Sequence, residues 1–276
     1  MNFTKMHSAG NDYVYVNGFE EKIADPGRLA AEISHRHFGV GSDGLVLVLP
    51  SQTCDFRMRM FNADGSEAEM CGNAACSVGK FVFDNGLTDK KEFTLETLGG
   101  VKHIELGEGD AARRQVRVDM GAPIFDAEKI PVAAKASPVV DLPLEVDGKT
   151  WLATCVSMGN PHAVIFTENV AALNLPEIGP KFEHHPAFPR RTNTEFIEVL
   201  SPEHFRMRVW ERGAGETFAC GTGACASVAA GVLKKLCSRR VRLDLLGGRL
   251  DVEWSEADGK IRLTGFPTTV FTGTWR

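Results

Sequence analysis

The sequence predicts an α+β protein of two homologous, pseudo-symmetric halves, and three observations carry that expectation. The first is an internal repeat: Phe56-Arg57-Met58-Arg59 recurs as Phe205-Arg206-Met207-Arg208, Glu67 as Glu216, Cys71-Gly72 as Cys220-Gly221 and Ala75-Cys76 as Ala224-Cys225, every pair at the offset that separates 71 from 220, 149 residues. The same offset lays Ser8 on Ser157 and Gly10-Asn11 on Gly159-Asn160, so the register runs without a gap from near the N-terminus. The second is a chain rich in strand-like runs with few helices and no regular β-α alternation, the pattern of an α+β fold. The third is length: 276 residues are large for one core and comfortable for two domains. A turn signal at Gly121-Ala122-Pro123 sets the boundary. Each half presents one Cys-Gly at the corresponding place, and the two thiols are expected to meet across a shared cleft.

Taken in order, residues 2–17 read as two short strands around the polar loop Ser8 to Asp12, with Asn11 at the loop's end. Pro26 to His37 reads as a helix, with Pro26 just inside its start and Leu29, Ile33 and Phe38 near helical spacing. Gly39 to Gly44 breaks the chain ahead of a strand, Leu45 to Leu49. A glycine-rich loop suggests phosphate binding, but this one leads into a strand and not a helix N-terminus, so a tight connection is preferred. Phe56 to Phe61 is a strand, Asn62 to Ser66 a turn, and a helix follows Cys71-Gly72 with apolar positions 74, 75, 78, 81 and 82. Asn73 is the expected cap.

The second half repeats the plan. Phe205 to Trp210 is the strand, Gly213-Ala214-Gly215 the turn, and Gly223 to Leu236 the helix, with Thr222 at the cap and Val228, Val232, Leu233 and Leu236 inward. Phe93 to Thr97, Gln115 to Asp119, Thr154 to Met158, Ala163 to Phe166, Arg240 to Leu245 and Lys260 to Leu263 are further strand-like runs.

Composition narrows the function classes. A net charge of -5, a pI near 5.9 and no basic run longer than Arg239-Arg240 argue against nucleic acid. The longest apolar run, Leu45 to Leu49, is too short to span a bilayer, and the N-terminus carries no targeting pattern, so a soluble, cytoplasmic protein is expected. Seven cysteines, an odd number, in a chain of this size make reduced thiols the default.

A cysteine just before a helix start faces unpaired backbone N–H groups and the positive end of the helix dipole, which favour thiolate over thiol. Two such cysteines, Cys71 and Cys220, can stand on opposite faces of a substrate carbon, one removing a proton as thiolate and the other supplying one as thiol. That inverts a stereocentre. Thiols titrate near ~8.5 unperturbed, so modest tuning ionises one of the pair at neutral pH while mutual repulsion discourages ionising both. The helix starts would also hold the substrate's carboxylate. Cys54, Cys155 and Cys237 read instead as small apolar core residues. Zinc binding through Cys71 with Cys76 and Cys220 with Cys225, thiol-disulfide exchange, and a non-catalytic amino-acid-binding module are the competing readings. The spacing is looser than a Cys-x-x-Cys knuckle, no Cys-x-x-Cys exists, and a binding module gives no reason for paired Cys-Gly helix starts.

Met70-Cys71-Gly72-Asn73, Gly159-Asn160-Pro161-His162, Glu211-Arg212-Gly213-Ala214-Gly215-Glu216 and Ala219-Cys220-Gly221-Thr222-Gly223-Ala224-Cys225 together resemble diaminopimelate epimerase over nearly the whole chain. The resemblance implies a pyridoxal-independent, cofactor-free epimerase that interconverts LL- and meso-2,6-diaminopimelate on the bacterial lysine and peptidoglycan route. It further implies a homodimer, with residues 1–121 plus 266–276 forming one half and 122–265 the other. Carried over position by position, Cys71 and Cys220 look like the acid and base, and His162 and Glu211 like the groups that tune the thiols. Gly72-Asn73 and Gly221-Thr222 would hold the reacting carboxylate. Asn11, Asn62, Asn160, Asn193, Glu211 and Arg212 look like ligands for the substrate's distant end, where a bidentate arginine suits a carboxylate and amides suit an ammonium. No metal is implied.

The chain departs from the family pattern in three places. Cys76-Ser77 stands for the usual Arg-Cys, Gly44 stands where some relatives have a substrate-contacting glutamine, and Leu263-Thr264-Gly265-Phe266-Pro267 replaces a more usual Gly-Pro. The rival within the fold is a proline or hydroxyproline racemase. Those typically carry histidine where Asn73 stands and lack the Glu211-Arg212 pair.

Overall fold

The computed structural model describes residues 1–110 and 112–276 and divides into two compact units, Met1–Asp119 with Thr264–Arg276, and Met120–Leu263. Both are sheet-rich with few helices, the α+β class. Among the described residues no helix is long and apolar enough to cross a membrane.

In the first unit, β1 (Asn2–Ser8) and β2 (Asn11–Asn17) form an antiparallel pair, and the C-terminal strand Thr268–Thr274 lies antiparallel on the other side of β1. The turn between them uses Ala9 and Gly10 at positive φ, which delivers Asn11 as the first residue of β2. Helix α1 (Pro26–Ser34) is capped by Asp25, whose carboxylate accepts the Arg28 N–H at 3.0 Å. It stops short of His37, and Phe38, expected to face inward at helical spacing, is 85% exposed. Next, β3 (Gly44–Leu49) runs parallel to β2 and antiparallel to β4 (Phe56–Asn62), which pairs with the short β5 (Glu67–Ala68). In β4 the alternation is physical: Phe56, Met58 and Met60 are buried while Arg57 and Arg59 are not, as a sheet with one face on a core requires.

Helix α2 (Gly72–Asp84) then enters the interior of the unit, followed by β6 (Glu92–Thr97), parallel to β4, and the antiparallel β7 (Gly100–Gly109) and β8 (Arg114–Gly121). Every residue of α2 from Gly72 to Val82 is buried. Its small residues make that enclosure possible. At Gly79 a Cβ would sit 2.6 Å from Val116 and 3.0 Å from Ile104, so the helix meets the sheet there at backbone distance.

The second unit repeats this connectivity. β9 (Leu142–Val146) and β10 (Lys149–Ser157) form a hairpin; β10 is antiparallel to β11 (Pro161–Phe166), which is parallel to β12 (Asn193–Ser201). Between β11 and β12 stands α3 (Leu175–Glu183), a helix the sequence reading missed. β12 is antiparallel to β13 (His204–Glu211), which pairs with β14 (Gly215–Glu216) before α4 (Gly221–Leu233) and the hairpin β15 (Arg240–Leu245) and β16 (Gly248–Trp254). Ladder pairs coincide at the repeat offset: Tyr13 opposite Gly44 matches His162 opposite Asn193, and Leu45 opposite Phe61 matches Thr194 opposite Trp210. A core of Trp151, Phe182 and Phe196, ring centroids 5.3–5.9 Å apart, fastens α3 to the sheet.

Two boundary expectations need correction. Neither Asn73 nor Thr222 is a cap: α2 and α4 begin at Gly72 and Gly221, and Cys71 and Cys220 themselves hold the N-cap positions in extended conformation. α4 also ends at Leu233, leaving Val232, Leu233 and Leu236 half-buried.

Candidate active site

The sequence-predicted residues fall into two clusters, one in each unit, each built around an N-cap cysteine. In the first unit the half-buried Cys71 thiol donates to the Asn11 side-chain oxygen at 3.3 Å, and Asn11 Nδ2 donates to Asp43 Oδ2 at 2.9 Å. Asp43 is held in turn by the Asp12 N–H at 3.1 Å and by Arg36, whose guanidinium bridges Asp43 at 2.9 Å and Asp12 at 3.0 Å. Lys5, buried, closes the network on Asp12 and the Gly41 carbonyl. Burial alone would raise the Asp12 carboxyl, but Arg36 and Lys5 outweigh it and hold it below its ordinary range. Burial raises Asp43, against the Asp12 N–H that lowers it and with the Asp12 charge adding to the rise. The loops around Asn11 and Asp43 are thus tied by charge, a network the sequence reading did not anticipate.

Asn73, one residue into α2 from Gly72, is 1% exposed, and its Oδ1 has no hydrogen-bond partner. The first-turn N–H groups of α2 lack intrahelical partners by helix geometry. Asn62 is not joined to this cluster: its Nδ2 donates to Ser66 Oγ at 3.0 Å within the turn that follows β4. Gly44 can offer only backbone, because a Cβ there would lie 2.1 Å from the Phe61 carbonyl oxygen and 2.9 Å from the Tyr13 ring.

In the second unit the cluster is a connected chain. Cys220 Sγ accepts the Gly223 N–H at 3.4 Å and lies 3.5 Å from Thr222 Oγ1. Thr222 accepts Asn160 Nδ2 at 3.3 Å. The Asn160 oxygen is 3.0 Å from His162 Nε2, and His162 Nδ1 is 2.7 Å from Glu195 Oε1. Glu211 accepts the Thr217 hydroxyl at 2.5 Å, and its charge acts on the Cys220 thiol. Burial raises the Glu211 carboxyl above its usual range. His162 is linked to Cys220 through Asn160 and Thr222, whereas Glu211 acts on it by charge.

Asn193, the first residue of β12, directs both ends of its amide to backbone: Oδ1 accepts the Arg212 N–H at 2.9 Å and Nδ2 donates to the Pro161 carbonyl at 2.7 Å. The Arg212 guanidinium donates to the Arg190 carbonyl at 3.2 Å. The turn that carries Glu211 and Arg212 is clamped by Glu183, the last residue of α3, which accepts the Gly213 N–H at 3.0 Å, the Trp210 indole at 2.8 Å and Arg191 at 3.2 Å.

The electrostatics at Cys220 overturn the expectation that its helix start favours thiolate. Burial pushes the Cys220 thiol well up, and the Glu211 and Glu195 carboxylates push the same way. The Thr222 hydroxyl and the Gly223 N–H oppose them and lose. Cys220 rests as a thiol, the proton-donating form. Of the cysteines read as core residues, Cys155 is buried with its thiol at about 12, while Cys54 and Cys237 are only half-buried. Burial raises Cys76, in α2, to about 12 as well. Glu195 and Glu183 were missed. A charged residue between Thr194 and the apolar Phe196-Ile197 was the available signal for Glu195. Among the described residues no three His, Cys, Asp or Glu side chains are grouped to hold a metal ion.

A family model described as diaminopimelate epimerase matches residues 3–125 and 154–270. A diaminopimelate epimerase of Acetivibrio thermocellus is 55% identical over 273 residues, covering 99% of this chain and 98% of the relative. One of Methanococcus maripaludis is 54% identical with 99% of each covered. Among solved structures, a phenazine biosynthesis protein of the PhzF family from Bacillus anthracis superposes with a TM-score of 0.68 at 18% identity, over 99% of this chain and 98% of that one. A probable proline racemase from Agrobacterium radiobacter gives 0.69 at 15% identity, over 100% and 92%. At those identities the structural likeness speaks for the fold alone.

Proposed function

Because the chain belongs to the diaminopimelate epimerase family, we propose that it interconverts LL- and meso-2,6-diaminopimelate by a two-thiol acid/base mechanism that needs no cofactor. The observation that carries this reading is the matched placement of Cys71 and Cys220, each the N-cap of a buried helix and each with its sulfur beside a polar side chain. In one direction Cys71, as thiolate, takes the α-proton and becomes a thiol. The electron pair left on carbon spreads into the carboxylate, which the first-turn N–H groups at Gly72-Asn73 and Gly221-Thr222 stabilise. Cys220 then gives its proton to the opposite face and is left as thiolate. The reverse direction exchanges the roles. Glu211 keeps Cys220 protonated until that step, in line with the raised thiol. Asn11, Asn62, Asn160, Asn193 and Arg212 serve the distant amino and carboxylate groups, the last with its guanidinium turned from the Arg190 carbonyl to the ligand. On this reading the two compact units are the homologous halves expected at 1–121 plus 266–276 and 122–265. The enzyme acts as a cytoplasmic homodimer in making lysine and peptidoglycan precursors.

The test is epimerisation of LL-diaminopimelate in heavy water, stopped at low extent. Two thiols on opposite faces give meso product that carries deuterium and residual substrate that stays protiated. Substantial protium in the new meso product refutes the assignment. Equal turnover of proline in the same preparation refutes the substrate, since a one-ended substrate leaves buried polar groups unpaired.

A further inference from the structure

Behind Cys220 the two halves differ, and the repeat makes the difference readable. At the common offset His162 falls on Tyr13 and Glu195 on Val46. Both Val46 and Glu195 are fully buried in the strand that runs parallel beside the one bearing Tyr13 or His162. One half thus fills this place with a methyl-bearing side chain and the other with a carboxylate. Burying a carboxylate costs several kcal/mol unless it is well paired, and an apolar side chain of similar size is commonly as stable or better. Glu195 is not richly paired: Oε1 meets His162 Nδ1 at 2.7 Å, and Oε2 has no hydrogen-bond partner. The fold nevertheless makes room for it, with glycine at 223, where a Cβ would stand 2.6 Å from Oε1. Stability gives no reason for a carboxylate here.

The hydrogen-bond directions give one. Nδ1 of His162 faces a carboxylate oxygen and Nε2 faces the Asn160 oxygen, so in the imidazolium form, the partner a buried carboxylate calls for, both ring nitrogens donate. That holds Asn160 with its NH₂ toward Thr222. Having accepted there, the Thr222 hydroxyl has its own hydrogen available for Cys220 Sγ, beside the Gly223 N–H. We infer that Glu195 is a positioning residue for the reaction: through His162 and Asn160 it turns the Thr222 hydroxyl toward the Cys220 sulfur, where it meets the charge that sulfur acquires on giving up its proton. The inference rests on the reading of Cys220 as a proton donor. The titratable groups that face Cys220 are Glu211 and Glu195, with His162 behind Asn160, and Glu195 alone acts by orientation through that chain.

Two variants and two readouts test it. Glu195→Gln keeps the shape and removes the charge, and Glu195→Val supplies the side chain found at the matching position of the other half. Should the first fail to fold, the second carries the same measurements. One readout is kcat and KM for LL-diaminopimelate. The other, free of substrate, is the pH profile of Cys220 alkylation by iodoacetamide, read by peptide mass mapping. The expected result is a kcat lower by about tenfold or more with KM within about twofold, as misorientation of a reacting group costs. The alkylation profile should not move to lower pH: loss of the Glu195 charge alone would lower the thiol, and loss of the oriented Thr222 hydroxyl offsets it. Unchanged kcat, or a change confined to KM, overturns the inference. A wild-type chain inactive on diaminopimelate overturns the functional reading instead, and the alkylation profile then decides on Glu195 alone: a profile that does not move to lower pH supports the orientation, and one that does marks a charge effect alone and removes it.

Discussion

Replacing Gly223 by alanine sets two effects of opposite sign against each other at the start of α4. Intrinsic helix propensity favours alanine by about 0.8–1.0 kcal/mol. Against it, the new Cβ would lie 2.6 Å from Glu195 Oε1 and 3.1 Å from its Cδ and Cγ, in a place where Glu195 is fully buried. The carboxylate must shift, and its 2.7 Å contact with His162 Nδ1 goes with it. A hydrogen bond to a charged group contributes about 1.5–3 kcal/mol and overpacking costs about 1–3 kcal/mol. Subtracting the propensity gain leaves a net loss of about 1.5–5 kcal/mol. At about 2–4 °C per kcal/mol for chains of this order, the unfolding midpoint should fall by about 3–20 °C. Circular dichroism melts of the two proteins at one concentration measure it. A Gly223→Ala protein as stable as the parent, or more so, and with undiminished turnover would show that α4 does not need this close approach, and the packing of Glu195 against its first turn would be wrong.

Two other outcomes are expected. Cys71→Ala and Cys220→Ala should each reduce epimerisation by more than the ~10²–10⁴ typical of a single acid or base, because the two act as a unit, while Cys54→Ala keeps most activity; a stereospecific product assay on purified variants checks this, and near-normal turnover by either of the first two removes the two-thiol mechanism. The Asp12 carboxyl is held below its ordinary value of 3.8 in the folded protein, so its contribution to stability is present above its unfolded value and is lost as pH falls through the folded one; Asp12→Asn should therefore flatten the acid limb of the stability-versus-pH curve, with Asp43, raised by burial, working in the opposite sense, and an acid limb unchanged in urea titrations would contradict the network around Arg36.

How much of this was legible before the fold was seen depends on whether the cause was local. The strands bearing Phe56 and Phe205 were legible because alternation of large apolar residues with arginine is itself the strand signal, and α2 because positions 74, 75, 78, 81 and 82 all turn inward. The helix starts were misplaced by the search for a conventional cap, since Asn73 and Thr222 have the preferred chemistry and the cysteines do not. α3 was hidden by Pro176, Gly179 and Pro180, which break helical expectation. Yet α1 and α3 lie at the repeat offset, Pro26 on Leu175 and Ser34 on Glu183, so the repeat that revealed the cysteines held that helix too. Gly179 is there because a Cβ would stand 2.3 Å from the Trp210 ring. That one of the two cysteines is a thiol, and that Glu211 tunes it, was legible; that Cys220 is the raised one was not, because it follows from burial and from Glu195 on β12, 25 residues away in the chain.

The enclosure of α2 bears on how the first unit comes apart. A helix buried from Gly72 to Val82 and touching β1, β2, β3 and β7 has no exposed face from which to fray, so its amides exchange with solvent only when the surrounding sheet opens. Cys71 is moored to the end of that element, and so belongs to the slowest-exchanging part of the unit even though its side chain is half-buried. Reactivity at Cys71 is thereby joined to the cooperative unfolding of its half: on heating, it should persist with little drift and then vanish together with the last protected amides.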